Sequence, residues 1–71
     1  MIRQIKILLA AVPFVPFKIR TSDGREYVVP TRDHASVSPN NGGIIIYDDN
    51  DLFTALSGLH IASVEGANLV A

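Results

Sequence analysis

The chain has 71 residues, with six Lys and Arg against seven Asp and Glu, two His, and neither Cys nor Trp. That length admits one domain, and the missing thiols exclude a disulfide framework and any thiolate metal site. Hydrophobic content of 48% beside 18% charged residues excludes disorder, and a net charge of −1 supplies no overall field to draw in nucleic acid or an acidic membrane.

The first predicted element is a helix over residues 2–12. Ile2, Ile5, Leu9 and Val12 recur at helical spacing on one face, Arg3 and Lys6 share another, and Pro13 ends the run. The bases ahead of Ile7–Val12 imitate a targeting segment, yet Pro13 and Pro16 stand where a small-residue cleavage site belongs. The apolar run is also far below the roughly 20 residues that span a bilayer. No membrane association and a cytoplasmic location are therefore expected.

After Pro16 the period changes to two. Phe17, Ile19 and Thr21 alternate with Lys18, Arg20 and Ser22, and Asp23-Gly24 is a strong hairpin signal. A two-residue turn pairs Ser22 with Arg25, Arg20 with Tyr27 and Lys18 with Val29, sending Phe17, Ile19 and Val28 to the core. Pro30 ends the second strand, and Thr31–His34 reads as a loop or one helical turn. Ala35–Ser38, Ile44–Tyr47, Leu52–Leu56 and Leu59–Glu65 are the further strand candidates. Asn40–Gly43, Asp48–Asp51 and Ser57-Gly58 punctuate them, and Gly66–Ala71 reads as a tail. In the last strand Leu59 and Ile61 are expected to share a face.

The fold expected is mainly β: a short N-terminal helix followed by a five- to six-stranded small antiparallel barrel or strongly bent sheet, one domain over 1–71 with strands over about 17–65. Sm-like and SH3-like barrels have this order and size, and the helix followed by an Asp-Gly hairpin resembles the opening of an Sm-like domain. Val28-Val29 stand where the bending glycine of that family belongs, and no late Gly-containing RNA-binding motif is present. A second resemblance covers nearly the whole chain. Pro13-Phe14-Val15-Pro16-Phe17-Lys18-Ile19, Asp23-Gly24-Arg25, Ala35–Pro39, Ile46-Tyr47-Asp48 and Ser63-Val64-Glu65 resemble a family of short uncharacterised bacterial proteins with a PFxPFxI stretch and a DG hairpin. This chain departs from that pattern at Thr31–His34, where a His-Pro-Glu-like segment is usual, and at Ser57, where an acid is usual. The resemblance implies the order of the fold and no activity.

Catalytic chemistry is thinly provided. His34 follows Asp33 and precedes Ser36, but no motif frames a nucleophile, and no enzyme is expected. Asp48-Asp49-Asn50-Asp51 lacks the glycine and distant glutamate of a calcium loop and reads as a solvated turn. His34 and His60 have no zinc spacing, and Asn40–Gly43 lacks the Lys and spaced glycines of a phosphate loop, so no cofactor or metal is expected.

Charge is nonetheless uneven. Residues 1–34 hold all six bases and three acids, a net +3, whereas residues 35–71 hold four acids and no base, a net −4. If the hairpin turn has two residues, Lys18, Arg20, Arg25 and Tyr27 share its outward face, with Arg32 and His34 just beyond. Guanidinium forks and an aromatic ring suit a nucleotide-like anion; the plain alternative is a solvated strand face. The function expected is a non-catalytic homo-oligomeric binding module that holds an anionic small molecule, such as a nucleotide-type signal that it sequesters or senses. The alternatives are a structural or protein-interaction module, and then an Sm-like nucleic-acid binder, which the charge and the few aromatics oppose. Self-association is expected because a core this small is marginal alone and has no covalent staple.

Overall fold

The apolar stripe near the N-terminus forms helix α1, Ile2–Ala10. The computed structural model describes residues 1–66. Ile2 and Ile5 are buried, Leu8 and Leu9 pack partly against the core, and Arg3, Lys6 and Ile7 face out. The helix stops two residues earlier than expected. Ala11 is already extended (φ −64°, ψ 142°), and its N–H reaches back to the Leu8 carbonyl. Pro13 cannot donate to a helical carbonyl and drives its predecessor out of the α region, so Val12 is left exposed rather than in the core.

Six strands follow: β1 Phe17–Thr21, β2 Glu26–Val29, β3 Ala35–Val37, β4 Gly43–Tyr47, β5 Phe53–Ser57 and β6 Ile61–Gly66. They form two antiparallel three-stranded sheets, ordered β2-β1-β6 and β3-β4-β5. The mainly β class with one N-terminal helix agrees with expectation; closure into a barrel does not occur among the described residues. Pro30 supplies no N–H to prolong β2, and a 3-10 turn, Arg32–His34, carries the chain from the first sheet into the second. Thr31 caps that turn by accepting from the Asp33 N–H.

The first hairpin differs from expectation by one residue. Thr21 N–H donates to the Arg25 carbonyl (2.9 Å) and Gly24 N–H to the Thr21 carbonyl (3.0 Å), so the loop has three residues, Ser22-Asp23-Gly24. Gly24 has φ +88°, which a side chain tolerates poorly, and this is the geometry of a type I turn closed by a left-handed residue. The pairs are therefore Arg20–Glu26, Ile19–Tyr27, Lys18–Val28 and Phe17–Val29. A slip of one residue turns every side chain of β2 to the opposite face. Val29 enters the core, and Val28, expected there, is 46% exposed.

The last strand also begins later than expected. A 3-10 turn at Gly58–His60 takes up residues assigned to it, and Leu59 is 92% exposed while Ile61 is buried. Opposite β1, Ile19 faces Val64 and Thr21 faces Ile61, with a register shift between them. The extra residue in β6 lets Ile61 and Val64 both point inward although three positions separate them. The core between the sheets and α1 comprises Ile2, Ile5, Phe17, Ile19, Val29, Ala35, Ile44, Ile46 and Ile61. Residues 67–71 of the expected tail lie outside the described residues.

Candidate functional site

The three-residue loop redistributes the residues singled out from sequence. Lys18 and Arg20 do share the outer face of the first sheet, but Glu26 joins them there in place of Tyr27. Arg20 Nη2 lies 2.5 Å from Glu26 Oε1, and Lys18 Nζ 3.5 Å from Glu26 Oε2. Glu65 stands directly across from Lys18 on β6. Arg25, at the hairpin tip, pairs with Asp23 at 3.5 Å. These exposed pairs contribute little stability. Their larger effect is to supply carboxylates to the very bases expected to attract an anion.

Arg32 serves the chain itself. Its Nη2 donates to the Ala11 carbonyl at 2.7 Å, and its guanidinium lies 5.7 Å from the centre of the Phe14 ring, tying the segment after α1 to the 3-10 turn. His34 is held at both ring nitrogens: Nδ1 lies 2.7 Å from Thr31 Oγ1 and Nε2 2.9 Å from Asp49 Oδ1. The acidic turn is tied by its own backbone, since the Asp48 carboxylate accepts from the N–H groups of Asn50 and Leu52. Among the described residues no group of three or more His, Cys, Asp or Glu could hold a metal ion. Nor, among the described residues, is any helix long and apolar enough to cross a membrane.

Of the expected site residues, Tyr27 and His34 share one hollow, and Tyr27 and Arg25 share the next. The first has a volume of about 400 Å³, and its lining includes Tyr27, Pro30, His34, Ile46, Tyr47 and Leu52. A neighbouring hollow of about 540 Å³ shares Tyr27 and Thr54 with it and continues past Arg25 and His60. Together they form a cleft between β2 and β5, the edge strands of the two sheets. Lys18, Arg20 and Arg32 do not line it.

The surroundings displace the titration of Asp23. The Thr21 hydroxyl donates to its carboxylate, and Arg25 adds a backbone hydrogen bond and a nearby positive charge, so the carboxyl is held below its ordinary value. Asp23 shapes the hairpin tip, since the same Thr21 oxygen accepts from the Arg25 N–H at 3.2 Å.

A further surface was not anticipated from sequence: the outer face of the second sheet. On β4, Ile44 and Ile46 are buried while Ile45 and Tyr47 face outward half-covered; on β5, Phe53, Ala55 and Ser57 face outward exposed. With Ser36 and Gly43, the outward positions carry no charge. The first sheet presents Lys18, Arg20, Glu26, Ser63 and Glu65 on its outer side, with Val28 as its apolar member. The signal available in the sequence was the alternation itself, because Ile44–Tyr47 reads as wholly buried only if both faces of its sheet are covered.

Comparison with family models, with curated proteins and with solved structures returns no match to this chain.

Proposed function

We propose that this domain is a non-catalytic protein-interaction module whose working surface is the outer face and free edge of the second sheet. The observation that carries it is the contrast between the two sheets: one has the polar outer side of a sheet that faces water, the other an uncharged side built on Ile45, Tyr47, Phe53 and Ala55. Tyr47 and Phe53 are cross-strand partners with ring centres 6.3 Å apart, a rigid aromatic pair well suited to an interface. A photo-crosslinking amino acid placed at Phe53, with Ser63 on the other sheet as control, tests this in living cells. Discrete adducts from position 53 and none from position 63 are expected. Equal labelling, or none from position 53, overturns it.

A small-molecule reading retains one specific support, the cleft that gathers Tyr27 and His34. Its ligand would meet Tyr27, Tyr47 and His34 over Ile46 and Leu52, beside the carboxylates of Glu26, Asp48 and Asp49, with Arg25 the one guanidinium along the cleft. An anion held by Lys18, Arg20 and Arg25 would instead have to displace Glu26 and Asp23 from their ion pairs. Thermal-shift measurements against nucleotides separate the two. A rise in melting temperature lost in Tyr27→Ala but kept in Arg20→Ala places the ligand in the cleft, and the reverse dependence places it on the basic face.

A further inference from the structure

We infer that the partner of this surface is a second copy of the same chain, joined edge to edge through β5 about a two-fold axis at Ala55; the partner so named stands only with the interaction surface proposed above.

The two sheets present four edges among the described residues, and three are blunted. β2 carries Glu26 and is stopped by Pro30, β3 has three residues with Pro39 close behind, and β6 carries Glu65 and an irregular register. Charges, prolines, bulges and brevity are the devices by which sheet edges avoid pairing with other chains. β5 has none of them. Phe53-Thr54-Ala55-Leu56-Ser57 is uncharged, lacks proline and pairs with β4 over five unbroken positions.

The hydrogen-bond phase of that ladder shows which groups are free. Asp48 N–H donates to the Leu52 carbonyl and Gly58 N–H to the Gly42 carbonyl, both at 2.9 Å. Antiparallel ladders alternate, so Thr54 and Leu56 bond toward β4, while the N–H and C=O groups of Phe53, Ala55 and Ser57 point away from it. An antiparallel copy centred on Ala55 sets Ala55 against the partner's Ala55, and Phe53 and Ser57 against the partner's Ser57 and Phe53. All six outward groups of each strand are then matched. Any register displaced by two residues leaves some of them unmatched.

Exposed side chains at the two ends of β5 argue for the same arrangement. Leu52 and Phe53, each 66% exposed, stand at one end, and Leu59 lies just beyond the other. Antiparallel pairing carries Leu52 and Phe53 toward the partner's Gly58 and Leu59, whereas parallel pairing leaves the two groups at opposite ends. Charge follows the same rule. The acidic turn Asp48–Asp51 adjoins Phe53, and Arg25 and His60 line the hollow beside Ser57. The acidic turn of one protomer therefore approaches His60 and Arg25 of the other, where Arg25 already holds the Asp23 of its own hairpin.

The absence of cysteine makes a direct test available. Ala55→Cys places a single thiol at the axis, where facing Cα atoms about 5.5 Å apart fall within disulfide range. In the full chain under mild oxidation, a covalent dimer is expected from Ala55→Cys. Little is expected from Phe53→Cys or Ser57→Cys alone, because like positions then lie roughly 14 Å apart. An equal mixture of those two variants is expected to give the mixed disulfide. Ala55→Lys, which puts two ammonium groups on the axis, is expected to weaken the dimer at least tenfold by sedimentation while circular dichroism stays unchanged. A chain that remains monomeric at every concentration overturns the inference, as does one that dimerises without cross-linking through Ala55→Cys. Discrete adducts from position 53 in cells, at a mass other than twice the chain, would overturn the self-pairing and leave the interaction surface standing.

Discussion

Thr21 shows how much one buried hydroxyl settles. Among the described residues it is the sole polar one that is buried, and its Oγ1 donates to Asp23 while accepting from the Arg25 N–H. This local network holds the three-residue loop and thereby sends Tyr27 inward and Glu26 outward. The Asp23 carboxyl is lower in the folded chain than its ordinary value of 3.8. The sign follows directly: the native state favours the carboxylate, so Asp23 contributes its full stabilisation above that ordinary value and loses it as pH falls through the lowered one. Proton NMR of Asp23 is expected to show a midpoint below 3.8, moving upward in Thr21→Val. An unchanged midpoint in that variant would remove Thr21 as the cause. The alternation of Phe17–Thr21 could be read directly from the sequence. The loop length could not, because Asp-Gly serves two-residue turns and, with Gly last, three-residue turns that differ only in hydrogen bonding.

At the scale of elements, α1 is held by its buried face rather than by its caps. Met1 makes no side-chain capping bond, and neither end carries the charges that favour a helix dipole. Nine residues are too few for a helix stable alone in water, so Ile2 and Ile5 must supply the reason it forms. Ile5→Ala is expected to cost about 2–5 kcal/mol in urea denaturation, while Ile7→Ala on the exposed side stays within about 0.5 kcal/mol. Comparable losses at both positions would contradict the orientation of the helix. Spacing in the sequence identified Ile2 and Ile5 correctly and erred at Val12, where the local effect of Pro13 overrides a continuing apolar period. Leu59 illustrates the same limit: its alternation with Ile61 is real in the sequence and is cancelled by the 3-10 turn.

For the whole molecule, the two sheets pack their apolar sides inward and leave four edges and two outer faces to be accounted for. A chain this size buries only about 60% of its unfolded surface, so an added strand-to-strand contact is worth a sizeable fraction of its stability. If β5 pairs with itself, the melting temperature is expected to rise with protein concentration by on the order of 3–5 °C per tenfold, and Ala55→Lys is expected to abolish that dependence. A melting temperature independent of concentration, with the dimer intact by sedimentation below the transition, would mean that association adds nothing to folding stability.

The sequence by itself determined the class of the fold, the helix, the approximate position of each strand and the small size of the core, because periodicity and turn residues are local properties. It also contained the uneven charge of its two halves. Tertiary structure decided where that charge is used and which residues meet. The bases of β1 acquired Glu26 because a hairpin gained one residue in its loop. Tyr27 of β2 and His34 of the 3-10 turn came together in a hollow closed by Ile46, Tyr47 and Thr54 of the second sheet, which no local pattern joins to them. The uncharged face and the unprotected β5 edge became visible only when strand order placed β5 at the end of its sheet. A strand's sequence states which of its sides are apolar; whether another strand lies beside it is decided by the rest of the chain.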